Sequence, residues 1–379
     1  MRILASSNYF PEHIGGIERV AGDLVHALRA RGHSVQWVAA EPTDYPHCGD
    51  AEDAPIPSWN VAERRLGFPY PIPDPRYRRT LGEIVEASDV VHLHDCLYAT
   101  NLLLFRAALR FGRPVVITQH VTEVPYRRWL VRSVQGEAYR LLAEPMLRRA
   151  DHVIFVSERV RARFANVVSR RRSEVIENGI DTSQLALTAA PERCRVRQEL
   201  GFADHDTVLL FAGRFVAKKG LAHIRAAAAQ QPSWRWLLVG RTDDEDPRTW
   251  RLPNITVLEP VGHERMASMY AAADLLVVPS TGEGLPVVIQ EALVCGTPVL
   301  TSVDTASGVA GPGGLVSEWD PTLDSLVSAI ARALTQGGDA YEISSQARHR
   351  WDLGKVASRY ETVMESALAS PRRAMLTRG

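Results

Sequence analysis

Long apolar runs, a secretory leader and paired cysteines are all missing from this sequence. No stretch approaches the ~20 consecutive apolar residues that span a bilayer, and the first residues lack the extended apolar segment of a secretory signal. The four cysteines are widely spaced and form no Cys-x-x-Cys pair, which argues against a disulfide framework or a cysteine zinc site. These absences predict a protein of a reducing, cytoplasmic compartment that is soluble or at most peripheral on the inner face of the membrane.

Net charge is missing as well, because 44 basic residues balance 44 acidic ones. A chain without an overall positive charge does not attract nucleic acid through its bulk field, so we expect no nucleic-acid partner. What is present is typical of a globular protein, with 45% hydrophobic and 23% charged residues. The length of 379 residues is generous for one hydrophobic core and suits two domains.

Short β-rich runs alternate with helical patterns along most of the chain, which predicts mainly parallel sheets with helices on both faces. The predicted strands cover residues 2–6, 34–39, 90–94, 115–119, 152–156 and 174–177, and then 208–212, 236–239, 255–258, 275–279 and 298–301. The main helices of the first half are predicted at residues 17–31, 97–111 and 137–149.

The alternation breaks around residues 181–200 and then restarts. The predicted fold class is therefore α/β, with two doubly wound, Rossmann-like lobes facing across a cleft. We place the first lobe at residues 1–187 and the second at residues 188–350. Residues 42–75, rich in proline and acidic side chains, are predicted as an irregular loop over the first lobe.

The strongest chemical signal is the segment Pro279-Ser-Thr-Gly-Glu-Gly-Leu-Pro-Val-Val-Ile-Gln-Glu291. A strand ends at its start and a helix begins near Leu285, where free N–H groups and the positive end of the helix dipole favour an anion. We predict that Gly284 and Leu285 hold a donor diphosphate, with Glu283 beside it and Glu291 reaching the hydroxyls of the nucleoside. The alternative is a capped helix with a solvated glutamate.

A second signal is Ala212-Gly-Arg-Phe-Val-Ala-Lys-Lys-Gly220, again at the end of a strand. Gly213 permits close backbone approach, and Arg214 with a lysine supplies cations for a leaving phosphate. The whole chain has only three lysines, at 218, 219 and 355. Where cations are nearly always arginine, adjacent lysines indicate that a compact ammonium is needed. The alternative is surface charge.

Two weaker signals lie in the first half. Gly15 and Gly16, between the first strand and the first helix, would let the backbone approach a donor, although a plain turn explains them equally well. His120 ends a strand whose side chains would point into the cleft, where it could bind a donor hydroxyl or assist proton transfer. A structural histidine is the equal alternative.

No metal site is predicted. His92 and His94 alternate on one face of a strand, but no third ligand follows at a useful spacing. Asp244-Glu-Asp246 could hold a divalent ion, yet its acidic surroundings favour a solvated loop. Asn178-Gly-Ile-Asp181 is turn chemistry at the junction of the lobes and is interpreted as a hinge.

Together these motifs resemble the retaining GT-B glycosyltransferases of family four. The matching pieces, in the order of the family, are Gly15-Gly16-Ile-Glu18, Arg31-Gly-His33, Asp89-Val-Val-His-Leu-His94, the strand ending at His120, Asn178-Gly-Ile-Asp181, Gly213-Arg214 with Lys219-Gly220, and Glu283-Gly-Leu-Pro followed by Glu291. They cover most of the chain.

The resemblance implies roles for the matching residues. Arg214 and Lys219 would stabilise the departing diphosphate, Glu283 would contact the transferred sugar, and Glu291 the ribose. Gly16 would lie near the donor phosphate and His120 near the sugar or the reacting face.

For the reaction, the resemblance implies that a hexose passes with retention from a nucleoside-diphosphate sugar to a hydroxyl acceptor, without metal or cofactor. A C-terminal helix within residues 351–379 would pack back on the first lobe. The chain departs from the family at Gly240, where Arg241-Thr-Asp-Asp-Glu-Asp replaces a glycine-rich turn near the nucleoside.

Other functions remain as alternatives. Another GT-B enzyme, such as a sugar-nucleotide 2-epimerase or a phosphorylase, would share these motifs. A two-lobed solute-binding protein would share the architecture, but the missing secretory signal and the cations for phosphate argue against it. A nicotinamide-dependent oxidoreductase lacks its glycine fingerprint here.

Charge is uneven although its sum is zero. Residues 106–172 contain 15 arginines, no lysine and five acids, a net charge of +10. Residues 126–132 interleave arginine with aromatic and aliphatic residues, and residues 139–149 continue the pattern. Such a surface suits an anionic membrane, which favours the hypothesis of a lipid-linked acceptor. A solvated basic face is the alternative.

Overall fold

The computed structural model describes residues 1–11, 15–42, 50–60, 70–121, 136–183, 185, 190–309 and 315–370. The chain divides into two compact units, the first formed by Met1–Gly179 with Leu353–Gly379 and the second by Ile180–Asp352. The boundary predicted at residue 187 falls among residues 186–189, which lie outside the described residues.

The first unit is built on an eight-stranded sheet. Its strands are β1 (Arg2–Tyr9), β2 (Ser34–Pro42), β3 (Ala54–Trp59), β4 (Ile72–Pro73), β5 (Val90–His94), β6 (Val115–Gln119), β7 (His152–Phe155) and β8 (Ser173–Val175). They lie in the order β4-β3-β2-β1-β5-β6-β7-β8. The pairs are parallel except for β3 with β4. Because the order reverses at β1, the carboxyl ends of β1 and β5 form the switch point at which such sheets bind ligands.

Helices connect the strands of this unit. They are α1 (Gly16–Ala30), α2 (Arg78–Ala87), α3 (Ala99–Arg110), α4 (Glu144–Arg149), which follows a π-helical turn at Tyr139–Ala143, and α5 (Glu158–Arg163). The sequence predicted a helix over 17–31, 97–111 and 137–149, and all three are present.

The second unit contains a six-stranded sheet. Its strands are β9 (Val208–Ala212), β10 (Arg235–Val239), β11 (Ile255–Leu258), β12 (Leu275–Val278), β13 (Val299–Ser302) and β14 (Ser317–Trp319). They lie in the order β11-β10-β9-β12-β13-β14, and all neighbouring pairs are parallel. This is the doubly wound order of nucleotide-binding sheets, with its switch point between β9 and β12.

The helices of the second unit are α6 (Ala190–Glu199), α7 (Leu221–Gln230), α8 (His263–Ala272), α9 (Val287–Val294), α10 (Val303–Val309), α11 (Leu326–Gln336) and α12 (Ala340–Trp351). The two central strands, β9 and β12, are apolar and buried along their whole length, as expected for a sheet covered on both faces. Two Rossmann-like parallel sheets confirm the predicted α/β fold class.

The last helix, α13 (Leu353–Leu368), belongs to the first unit. Its apolar stripe, which includes Tyr360 and Met364, joins the same core as Leu24 and Val25 of α1. At the rim of that contact, Glu361 forms an ion pair with Arg31 and lies 2.8 Å from Nε2 of His33. The Arg31-Gly-His33 motif therefore anchors the C-terminal helix.

The prediction of an irregular loop over residues 42–75 was wrong in part. Two strands form there, β3 parallel to β2 and the two-residue β4 antiparallel to β3. Prolines 55 and 57 occupy alternate positions of β3, so the N–H groups that they lack point to one side of the strand. Within the described residues, the two-residue β4 is the strand that pairs along that side of β3, and proline is tolerated at such a sheet edge.

No helix in the described part of the chain is long and apolar enough to cross a membrane.

In the second unit, the backbone at Gly220 packs closely against Pro279. Gly220 has φ of 79°, and a Cβ atom there would lie 2.4 Å from the carbonyl oxygen of Pro279. Gly201 has a similar φ of 76° but no atom within 4 Å of such a Cβ. We predict that Gly201→Ala costs about 1 kcal/mol of unfolding free energy from the backbone alone. Gly220→Ala should cost about 2–4 kcal/mol, since overpacking is added.

Denaturant unfolding of the two variants beside the unchanged protein measures this difference. Equal losses in both would show that the loop after β9 is not packed against the end of β12.

Candidate active site

Three cationic side chains, Arg214, Lys218 and Lys219, follow the carboxyl end of strand β9 in the second unit. The strand ends at Ala212, and Gly213 follows with φ of 147°, its N–H donating to the carbonyl of Val239 on β10. A short 3₁₀ turn, Ala217–Lys219, then presents two adjacent lysines. Gly220 closes that turn in the left-handed conformation against Pro279 at the end of β12. Backbone packing thus holds the lysines at the switch point of the sheet.

Glu283 faces these lysines from the loop after β12. Its Oε1 lies 3.0 Å from Nζ of Lys219 and 3.8 Å from Nζ of Lys218. Burial would raise the pKa of this carboxyl, but attraction to Lys219 and Lys218 outweighs burial and lowers the pKa to about 2. Burial also lowers the pKa of Lys218. The site therefore holds an ionised carboxylate among cations.

Arg214 is engaged by an acid from the loop after β10. Its Nη1 lies 3.4 Å from Oδ2 of Asp243, whose Oδ1 accepts a 2.8 Å hydrogen bond from Nε of Arg241. Asp243 is thus the member of the acidic loop that touches the cations. Asp246 instead caps the short helix Pro247–Trp250 through the N–H of Arg248.

A metal site is not apparent in the part of the chain that the structure describes. No group of three or more histidine, cysteine, aspartate or glutamate side chains there is arranged to hold an ion. His92 donates or accepts at 2.8 Å with the hydroxyl of Thr118, and His94 pairs with another histidine. Both are parts of a buried polar network.

Helix α9 begins directly after the Glu283 loop. Its N-cap is Pro286, which offers no side-chain hydrogen bond to the first N–H groups, and Gly284 and Leu285 before it are buried. Glu291, about one turn into the helix, is 2% exposed. Its Oε2 accepts a 2.6 Å hydrogen bond from the hydroxyl of Tyr270 on α8.

The first unit carries the remaining predicted residues. Gly15 is the N-cap of α1 and Gly16 its first residue. A Cβ atom on Gly15 would lie 1.8 Å from Oε2 of the buried Glu18, so a larger residue there would require that carboxylate to move. Residues 12–14 of the same motif lie outside the described residues.

His120 lies just past the carboxyl end of β6 and is 4% exposed. Its Nε2 is 2.9 Å from Nδ1 of His94, and its backbone N–H donates to Oδ1 of Asp95 at 2.9 Å. Burial lowers the pKa of His120 to about 3, so its imidazole is neutral at ordinary pH. The ring is held as a hydrogen-bonding group rather than a charge.

Asp95 is a residue that the sequence analysis missed. It has φ of 64°, and Nδ2 of Asn101 donates to its carbonyl at 2.8 Å. Burial raises the pKa of its carboxyl to about 7, although hydrogen bonds from the backbone of His120 and Val121 oppose the rise. An acid directly after a strand-ending histidine was the available signal.

Within the second unit, the structure brings together Lys219 and Glu283 by direct contact, and Gly213 lies beside Lys219, whose Cε would be 3.8 Å from a Cβ there. Tyr270 and Asp243 were missed. Their contacts are with residues 21 and 29 positions away in sequence, so no local pattern marks them. In the first unit, His120 is joined to His94 and Asp95.

Two doubly wound units, one with cations and a helix start at its switch point, define a protein of the GT-B fold class. Solved structures support that class. HepE from Anabaena in complex with UDP and glucose aligns with a TM-score of 0.75 and 19% identity over 97% of this chain and 100% of that chain. Sucrose-phosphate synthase from Thermosynechococcus elongatus aligns with a TM-score of 0.74 and 21% identity over 97% of this chain and 99% of that one.

Family models identify the family. Residues 14–184 match the model described as Glycosyltransferase Family 4, and residues 206–336 match the one described as Glycosyl transferases group 1. The chain belongs to glycosyltransferase family four, which confirms the resemblance.

Curated relatives agree. A D-inositol 3-phosphate glycosyltransferase of Mycobacterium sp. (strain KMS) is 28% identical over 63% of this chain, and the match spans 59% of that relative's length. A GDP-mannose:cellobiosyl-diphosphopolyprenol alpha-mannosyltransferase of Xanthomonas oryzae pv. oryzae (strain PXO99A) is 24% identical over 98% of both chains.

The ion pair at the centre of the site can be measured by a double-mutant cycle. We predict that Lys219→Met and Glu283→Gln are coupled by about 1–3 kcal/mol in unfolding free energy at pH 7, since each single change leaves a largely buried partner uncompensated. Because the folded pKa of Glu283 is depressed to about 2, the stabilisation is present above the unfolded pKa of about 4.3 and is lost as pH falls towards the folded value. The coupling should therefore shrink at pH 3.5.

The exposed pair Arg79 and Glu83 on α2 is the control. Its cycle should give a coupling below about 0.5 kcal/mol. A Lys219–Glu283 coupling as small as that, or one that does not change with pH, would contradict the prediction.

Proposed function

We propose that this chain is a retaining glycosyltransferase that moves a hexose from a nucleoside-diphosphate sugar to a hydroxyl group of an acceptor. The observation that carries the proposal is the cluster of Arg214, Lys218 and Lys219 around Glu283, beside the start of α9 at the switch point of the second sheet. Cations and a helix start at that place suit a diphosphate.

The proposed roles follow from charge development. As the bond between the anomeric carbon and the diphosphate oxygen breaks, negative charge grows on the leaving group, and Arg214 and Lys219 stabilise it there. Glu283, held ionised among these cations, contacts hydroxyls of the transferred sugar. Glu291 accepts from the ribose, and the backbone at Gly213, Gly284 and Leu285 approaches the phosphates.

Retention is proposed through a front-face route. The acceptor hydroxyl attacks on the side from which the diphosphate departs, and its proton passes to the leaving phosphate oxygen. His120 and Gly16 of the first unit would serve the sugar and the donor phosphate. No metal ion and no cofactor take part, because the cations and the helix start supply the charge that a metal would supply.

The names of related proteins support the donor class. The HepE structures contain UDP, glucose or UDP-glucose, and the Xanthomonas relative is named for GDP-mannose. UDP-glucose and GDP-mannose are both nucleoside-diphosphate hexoses, and they differ in the base. The loop at Arg241 to Asp246, which departs from the family, is where we propose that the base of this chain's donor is selected.

The donor proposal predicts a specific loss in one variant. A thermal-shift panel of UDP-, GDP- and ADP-sugars should identify one nucleotide that raises the Tm. Glu291→Gln should then weaken that nucleotide about 10- to 100-fold, since a hydrogen bond to a charged group contributes about 1.5–3 kcal/mol. Titration calorimetry measures the change, with the exposed Glu318→Gln on β14 as the control.

Unchanged affinity in a folded Glu291→Gln variant would remove that residue from the donor site. Turnover should persist in chelator and yield the α product from an α donor. Epimerised donor formed without acceptor would instead support a sugar-nucleotide 2-epimerase.

A lipid-linked acceptor, with the chain acting on the cytoplasmic membrane face, is the second part of the proposal. The Xanthomonas relative is named for a diphosphopolyprenol acceptor. On the first unit, Leu141 is 62% exposed and lies among the exposed arginines 140, 148 and 149. The related residues 126–132 lie outside the described residues. Apolar side chains among arginines suit an anionic bilayer surface, at about 1 kcal/mol per basic residue.

Co-sedimentation with vesicles checks the membrane part. Binding should require anionic lipid, fall with added salt, and weaken in Leu141→Ser/Arg149→Glu. Leu323→Ser, which removes an even more exposed leucine (84%) from the second unit, should sediment like the unchanged protein. Equal binding to neutral vesicles, or none to either kind, would contradict a membrane-bound acceptor.

A further inference from the structure

A buried tyrosine outside the segment 279–291 forms a hydrogen bond with the carboxylate of Glu291. Tyr270, on α8, is 0% exposed and Glu291, on α9, is 2% exposed. The tyrosine hydroxyl donates to Oε2 of the carboxylate at 2.6 Å. A short bond between a neutral donor and a carboxylate, away from water, is among the stronger hydrogen bonds of a protein.

The backbone of Tyr270 is fixed as firmly as its hydroxyl. Oγ1 of Thr297, just past the end of α9, donates to the carbonyl of Tyr270 at 2.8 Å. The N–H of Thr297 donates to the carbonyl of Ala292 at 2.8 Å. Tyr270 therefore contacts α9 through its hydroxyl and the turn that follows α9 through its carbonyl.

Cys295 caps the end of α9, one turn beyond Glu291. Burial, and next the negative charge of Glu291, raise the pKa of its thiol to about 12. The thiol therefore stays protonated and adds no negative charge beside Glu291.

We propose that Tyr270 is a positioning residue that orients the carboxylate of Glu291 towards the ribose of the donor, an inference that rests on the proposed function. A carboxylate offers about four lone-pair sites. The tyrosine occupies one of them and thereby fixes the rotation of the carboxylate plane, which is otherwise soft. The remaining sites then face in a set direction, as two adjacent ribose hydroxyls require.

The orientation of Glu291 by Tyr270 is expected to affect binding of the donor and not the chemical step. The ribose is remote from the bond that breaks, so its hydrogen bonds are equally strong in the bound donor and in the transition state. Losing the orientation of Glu291 should then raise KM for the donor and leave kcat nearly unchanged. It should also erase the preference for nucleotides that carry ribose hydroxyls.

The test compares Tyr270→Phe with Thr297→Val. Both remove one buried hydrogen bond of Tyr270, but only the first frees the carboxylate. The probes are UDP, GDP and ADP with their 2′,3′-dideoxy counterparts, titrated calorimetrically into each full-length variant. Thermal unfolding monitors folding in parallel.

For the ribonucleotide that binds the unchanged protein, Tyr270→Phe should weaken binding about tenfold. The dideoxy counterpart should change less than about twofold. Thr297→Val should lose stability and keep the ribose preference of the unchanged protein. Glu291→Gln, which retains an acceptor for the tyrosine, should reproduce the loss of preference at the ligand end.

A ribose preference in folded Tyr270→Phe equal to that of the unchanged protein would overturn the inference alone. The same holds if Thr297→Val loses the preference as fully as Tyr270→Phe. If the unchanged protein binds none of the three ribonucleotides, the proposed function is overturned together with the inference.

Discussion

The site in the second unit depends on the contact between Lys219 and Glu283. These side chains come from the loops after β9 and β12, the two strands at which the order of the sheet reverses. The loops can meet only because Gly220 lets the backbone come within reach of Pro279. The ion pair therefore depends on this close packing of the backbone. The lysines in turn keep the carboxylate of Glu283 ionised, although burial alone would favour its protonated form.

Each cation of this site already faces a carboxylate, Arg214 with Asp243 and Lys219 with Glu283. In the proposed function, a diphosphate that enters the cluster competes with these acids, so part of its attraction to the cations is offset. Such balance would lower the affinity for simple anions and leave discrimination to the sugar and the nucleoside. Lysine suits this exchange better than arginine, because its ammonium is compact and rotates freely between partners.

Much of the fold and of the candidate site could be predicted from the sequence, because the patterns that mark them are local in sequence. Apolar runs, glycine turns and the segments around Lys219 and Glu283 are each contiguous in sequence. Strands, helices and the loop ends that we propose to bind phosphate are therefore marked in the residues themselves. Tyr270 and Asp95 were missed because their roles depend on contacts across the fold, 21 and 25 positions away. Strand β3 was missed because its prolines oppose strand propensity, and only its place near a sheet edge accommodates them.

The first unit narrows the chemistry that His120 can perform. Three histidines, His92, His94 and His120, lie within one buried network, and burial is the largest cause that lowers the pKa of each. With a pKa of about 3, His120 is a poor proton acceptor at neutral pH. Of its two roles considered from sequence, hydrogen bonding to the sugar fits the structure better than proton transfer. In the proposed reaction, this is consistent with the acceptor's proton passing to the diphosphate oxygen, as the front-face route requires.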